Sequence, residues 1–140
     1  MQFGVDIPFV RHLGFELTLF EGGHSGIRYA AQPEHENSFQ VVHGGAVMTL
    51  LDVTMATAAR SIQQDMGVVT IEMKTTFMQP CRGVLTGKGR LMHRTASMAF
   101  TEATIYDSEG RACAHGTGTF KYVKRQQPGT AGGQGVISTD

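Results

Sequence analysis

The sequence predicts an α+β fold in which a curved antiparallel sheet of five to six strands wraps one long central helix. Three observations carry that reading. Residues 44–59 are an uncharged run broken by a single acid, Asp52, and Val47, Leu50, Leu51, Thr54, Ala58 and Ile62 follow i, i+3, i+4 spacing. Ala46, Met48, Val53, Met55, Ala56 and Ala59 cover most of the remaining circumference, so the helix is apolar nearly all round and needs cover on several sides. The rest of the chain alternates with period two and is punctuated by Gly- and Asp-rich turns. A helix of this kind and a sheet of this size satisfy each other when the sheet wraps the helix. The part of the helix left over would face a second subunit.

Taken in order, residues 6–13 suit a short helix after Asp6, with Pro8 tolerated in its first turn. Phe15, Leu17 and Leu19 alternate with Glu16 and Thr18, Glu21-Gly22-Gly23 is a turn, and a second strand runs from His24 to Ala30; together these make a hairpin. Residues 32–40 are polar, contain Pro33 and form a loop into the helix. After a break at Gln63–Gly67 comes the clearest strand. Val69, Ile71, Met73 and Phe77 point one way, and Thr70, Glu72, Lys74 and Thr76 the other. A fourth strand spans Val84–His93, where Gly87 and Gly89 suggest a bulge or strong curvature. Met98–Tyr106 and Ala112–Val123 follow across short turns, completing a meander. Residues 1–125 read as a single domain. Residues 126–140 are rich in Gly and Gln, offer little to bury, and are expected to be a disordered tail.

Composition removes several function classes. The chain has 140 residues, 12 basic and 12 acidic side chains, and a formal net charge of zero, so no nucleic-acid surface built on bulk positive charge is expected. No apolar run is long enough to span a membrane, and the N-terminus lacks a basic segment followed by an apolar one, so no export signal is expected. The two cysteines, Cys81 and Cys113, form no CxxC pair and no zinc-type cluster; they read as reduced, packed thiols of a cytoplasmic protein without a bound metal.

Asp52 is the chemical anomaly. A carboxylate on an apolar helix is costly unless it is paired, and it serves either as a structural acid bridging its neighbours or as a catalytic group. His43-Gly44-Gly45 opens the same helix. The first N–H groups of a helix have no partner within it, and the glycines let a ligand approach that backbone closely. The free N–H groups and the positive helix end suit an anion or a polarised carbonyl oxygen. Asp52 follows Gly44 by eight residues, about 12 Å along the axis, whereas attack on a carbonyl needs about 3 Å. If both groups serve one reaction they come from two helices, and a two-fold homodimer with antiparallel helices supplies them.

His35-Glu36-Asn37, Val42-His43-Gly44-Gly45, Leu51-Asp52 and Met73-Lys74-Thr75-Thr76-Phe77-Met78-Gln79-Pro80 together resemble the hotdog-fold acyl-CoA thioesterases, in particular the phenylacetate-pathway and thioesterase-superfamily subgroup. The resemblance runs from Gly14 to Val123 and departs at Gln40, where close relatives often carry Gly. It implies hydrolysis of an aryl or medium-chain acyl-CoA to free acid and coenzyme A. Asp52 would be nucleophile or general base, and the Gly44 N–H would be the oxyanion donor across a dimer, with Gly45 beside it at the substrate. Asn37 would orient water or the thioester, Thr70 would assist through its hydroxyl, and His43 would hold the helix start rather than act as a base. Homotetramers of such dimers are expected, and no cofactor beyond the coenzyme A of the substrate.

An acyl pocket walled by Phe39, Met48, Met55 and Phe77 would adapt to varied acyl shapes. Arg82, Lys88, Arg90 and Arg94 are candidates for the coenzyme A phosphates. Two other functions compete. A hydratase would pair His43 with Asp52, but the same rise separates those two by about 12 Å or more. A non-catalytic acyl-CoA sensor would gain little from an acid on an apolar helix.

Overall fold

The computed structural model describes residues 2–125. In chain order it contains α1 (Pro8–Leu13), β1 (Glu16–Glu21), β2 (His24–Tyr29), a 3-10 turn at Pro33–His35, α2 (Gly44–Arg60), β3 (Met66–Phe77), β4 (Leu85–Arg94), β5 (Met98–Tyr106) and β6 (Ala112–Lys124). All six strands join one antiparallel sheet in the order β1-β2-β4-β5-β6-β3. The hairpin and the β4-β5-β6 meander are as the turn signals predict, and the sheet curved around one main helix is the hotdog arrangement. The tail expected to be disordered, 126–140, lies outside the described residues.

The sheet covers one side of α2. Val47, Leu50, Leu51, Thr54, Met55, Ala58 and Ala59 are buried there with Ile27, Tyr29, Leu85, Ile105 and Phe120. Each fully buried Leu or Met contributes about 1.5–3 kcal/mol through the area it removes from water. Two polar bonds fix the helix on the sheet: Ser25 Oγ donates to the Thr54 carbonyl at 2.6 Å, and Tyr122 Oη to the Ala59 carbonyl at 2.7 Å. The approach is close because the sheet is glycine where the helix meets it. A Cβ on Gly89 would lie 2.7 Å from the Thr54 carbonyl oxygen, and one on Gly87 2.6 Å from Thr54 Oγ1. These two glycines make room for α2. The register shift of β4 lies further along, between Leu91 and His93, so the bulge suggested at Gly87 and Gly89 is elsewhere.

Bulges also correct the period-two reading. In β3 the register with β6 shifts between Thr70 and Glu72, leaving Ile71 as the extra residue. Thr70 lies opposite the buried Phe120; beyond the shift, Met73 lies opposite Gly118 and Phe77 opposite the buried Ala114. Thr70, Met73 and Phe77 therefore share the helix-facing side, while Ile71 is 53% exposed. The sequence pattern had put Thr70 on the other face. A bulge at Thr18 does the same in β1: Leu17 is buried and Leu19 turned out.

Candidate active site

Residues 36–43 lead the chain from the 3-10 turn into α2. His35 anchors this loop: its Nδ1 accepts from the Gln32 N–H at 3.1 Å and lies 2.7 Å from Tyr29 Oη, and its carbonyl accepts the His43 N–H at 2.8 Å. Asn37 Oδ1 accepts the N–H groups of Phe39 at 2.8 Å and Val41 at 3.3 Å, which closes the loop and leaves the amide NH2 to meet a ligand. Gln40 takes φ 62° within it, the left-handed region that glycine enters most freely. That is the position at which the sequence departs from the glycine expected by resemblance.

His43 is the N-cap of α2, and its Nδ1 accepts the Gly45 N–H at 2.8 Å. The accepting Nδ1 places the ring proton on Nε2. His43 is thus engaged as a cap, which is the structural role expected for it. The Gly44 N–H has no acceptor among the described residues. The ring of Phe77 packs beside the Gly44 Cα, since a methyl on Gly44 would sit 3.4 Å from Phe77 Cζ.

Two turns into the helix, Asp52 is half-buried, and Thr70 Oγ1 donates to its Oδ1 at 2.7 Å. The bulge at Ile71 makes this bond possible by turning Thr70 inward. Asp52 and Thr70 line an open groove of about 400 Å³ with Gly45, Met48, Thr49 and Met73. Gly45, Met48, Thr49, Asp52, Val53 and Ala56 form a stripe along α2 that the sheet leaves at least partly uncovered.

The structure therefore brings together Gly45, Met48, Asp52 and Thr70, with Gly44 and Phe77 adjoining at the helix start. It adds Thr49 and Met73, which sequence reasoning missed. Thr49 carries no charge or motif to mark it, and it donates to the Gly45 carbonyl at 2.9 Å. Met73 stood in the family segment but was not singled out. Met55 is a correction: it is fully buried, and a Cβ on Gly118 would lie 3.2 Å from its Cε, so it packs the core and walls no groove. Phe39 is 80% exposed on the loop and does not line the groove.

The four cations do not converge on one cradle. Arg82 lines a separate cavity with Glu36, Gln40 and Val42. Lys88 lies 5.3 Å over the Tyr106 ring, in a cleft it shares with Arg28, which the sequence reading did not select. Arg90 is paired with Glu102 at 2.5 and 3.0 Å, and Arg94 lies 4.3 Å from the Tyr122 ring centroid. The latter two are engaged within their own chain.

Residues 39–114 match the Thioesterase superfamily over a span that includes the cap, the helix and Asp52–Thr70. The chain belongs to the thioesterase superfamily. It is a thioester hydrolase. Among curated relatives, the proofreading thioesterase EntH of Klebsiella pneumoniae is 29% identical over 107 residues, 74% of this thioesterase and 77% of that protein. An esterase-named protein of Saccharolobus solfataricus is 26% identical over 116 residues, 82% of each chain. Among solved structures, a conserved Pseudomonas aeruginosa protein superimposes with TM-score 0.81 at 25% identity, covering 86% of this thioesterase and 97% of that chain. The Escherichia coli PaaI protein from the phenylacetic acid degradation operon gives TM-score 0.78 at 19% identity, covering 84% and 86%, and shares the fold. No helix among the described residues is long and apolar enough to cross a membrane.

Proposed function

We propose that this thioesterase hydrolyses a small-molecule acyl-CoA, with an aryl or medium-chain acyl group, at a site shared by two copies of the chain. The observation that carries the reading is the Thr70–Asp52 bond on the open groove beside Gly45, Met48 and Met73. A thioester carbonyl is electrophilic and thiolate leaves readily, so the reaction needs an oxygen nucleophile and a donor for the developing oxyanion. Asp52 supplies the first, attacking the carbonyl or taking a proton from water; a general base of this kind is worth about 10²–10⁴-fold. Thr70 holds one Asp52 oxygen and so orients the carboxylate. The Gly44 N–H supplies the donor, worth about 3 kcal/mol when preorganised. The Asn37 amide is left to orient water or the thioester. No metal or redox group enters the scheme.

Two features support the shared site. Gly44 and Asp52 are separated by about 12 Å along one helix. β3 is one of the two outer strands of the sheet, twelve residues long, and it lies beside the uncovered stripe of α2. Pairing two such edges about a two-fold axis would set the α2 stripes face to face, with the Gly44 of one chain near the Asp52 of the other. The likeness to the phenylacetic acid operon protein supports an aryl acyl group, and the Met48 and Met73 walls suit one. Arg82 and Lys88 each line a cavity or cleft and are the candidates for the coenzyme A phosphates, with Arg28, paired with Glu16 at 2.6 Å, beside Lys88.

Thiol release against a panel of phenylacetyl-, hydroxybenzoyl-, short-, medium- and long-chain acyl-CoAs tests the proposal. Turnover should peak on one acyl class and fall by about 10²-fold or more in Asp52→Asn, with acyl-CoA binding kept. An Asp52→Asn protein with unchanged turnover would remove Asp52 from the reaction. Tight binding with no turnover on any thioester would leave a sensor.

A further inference from the structure

Cys81 and Cys113 take no part in the proposed hydrolysis, yet they are the only two cysteines of the sequence and the fold brings them together. Cys113 stands near the start of β6, next to Ala114, which pairs with Phe77 at the end of β3. Its carbonyl accepts the N–H groups of Met78 at 2.9 Å and Gln79 at 3.3 Å. That clamp folds the segment after β3 across the start of β6 and brings Cys81 toward Cys113. The two side chains lie against each other, and each thiol donates to a carbonyl oxygen, Cys81 Sγ to Gln79 at 3.9 Å and Cys113 Sγ to Ile105 at 3.4 Å.

Their surroundings differ. Cys113 is fully buried, with its sulfur 3.4 Å from the Ile105 carbonyl oxygen. Cys81 lines a cavity of about 310 Å³ with Glu36, Gln40, Val42 and Arg82. A water molecule's share of liquid volume is about 30 Å³, so a solute as small as hydrogen peroxide fits there and meets Cys81 first.

We propose that Cys81 and Cys113 are a peroxide-responsive dithiol, in which Cys81 is oxidised from the cavity and Cys113 closes a disulfide behind it. The Cys81 sulfur attacks one peroxide oxygen, the O–O bond breaks, and the departing hydroxide takes a proton to leave as water. The Cys113 sulfur then attacks the Cys81 sulfenic sulfur. The S–O bond breaks, and the hydroxide leaves as water with the Cys113 thiol proton. The two sulfurs lose two electrons and the peroxide oxygens gain them. The attacking and resolving roles follow the cavity, which Cys81 lines and Cys113 does not. The adjacent Cys113 side chain also holds the Cys81 thiol below the ordinary thiol range, against burial and the Asp107 carboxylate, and the same contact, with burial, pushes the Cys113 thiol up, in keeping with a thiolate nucleophile at Cys81.

The Cys81 carbonyl also accepts the Val42 N–H at 3.1 Å, and Val42 directly precedes His43 and Gly44. The disulfide would therefore tighten the support of the helix start; that consequence rests on the proposed site, whereas the oxidation does not.

The test is peptide mass mapping of the full chain after hydrogen peroxide, with thiols alkylated under denaturing conditions. The expected result is loss of two hydrogens and a Cys81–Cys113 cross-linked peptide within one chain, reversed by dithiothreitol. Cys113→Ala should instead accumulate a sulfenic acid at Cys81 that dimedone traps. Two thiols still fully alkylated after peroxide would overturn the proposal. So would Cys81 over-oxidised with Cys113 free, or disulfides formed only between chains. None of these readouts depends on thioester turnover, so failure of the Asp52 mechanism would leave the dithiol standing.

Discussion

Gln40 stands alone among the described non-glycine residues in having a positive φ, at 62°. A left-handed conformation costs a residue with a Cβ about 1–2 kcal/mol. Gln40→Gly should accordingly raise stability by about 1 kcal/mol in urea unfolding, after the entropy of glycine is set against the strain relieved. A loss of stability would mean that the Gln40 side chain holds the loop. At this scale the sequence was legible where a residue contradicts its surroundings. Asp52 stood out as one charge on an apolar helix, and Gln40 as a departure from a glycine. His43 was read as a structural residue and is seen capping the helix through Nδ1. Met55 was illegible, because a helix apolar nearly all round does not say which methionine faces the sheet and which the groove. Thr49 was illegible because its hydroxyl serves the backbone one turn back.

At the scale of elements, every strand was visible in its period, but the parity within a strand was not. A bulge adds one residue and moves everything beyond it to the opposite face. The bulge at Ile71 puts Thr70 on the helix side and makes the bond to Asp52 possible, although no local signal marks it. The glycines of β4 were read as a bulge or curvature and are the seat of α2. Gly89→Ala puts a methyl 2.5 Å from Ser25 Oγ and 2.7 Å from the Thr54 carbonyl oxygen. The hydroxyl can turn away, but the helix backbone has to move. The substitution should cost about 3 kcal/mol, the upper part of the usual range for overpacking, read as a lower denaturation midpoint. A midpoint within experimental error of wild type would show that α2 does not press on β4.

At the scale of the whole molecule, the proposed site is incomplete in one protomer. The proposed oxyanion donor, the Gly44 N–H, lies at the start of α2 and the Asp52 carboxylate about 12 Å along it. β3 carries Ile71 and Phe77 about half exposed, with Met78 just beyond its end, next to the uncovered helix stripe. The separation of Gly44 from Asp52 was legible before any coordinates, because the rise of a helix is fixed and eight residues cannot be shortened. Which of the candidate cations are already engaged was not legible, since a basic residue on a strand reveals nothing of its partners: Arg90 goes to Glu102 and Arg94 to Tyr122. The central claim is that each site takes Gly44 from one chain and Asp52 from the other. It is tested most directly by complementation. Gly44→Pro removes the donor N–H at a helix position that tolerates proline, and Asp52→Ala removes the carboxylate. Each variant alone should be inactive. Unfolded and refolded together, they should regain thioester turnover, because a mixed dimer holds one site with both wild-type residues and one with neither. A mixture as inactive as its two components, with mixed dimers shown to form, would contradict the shared site.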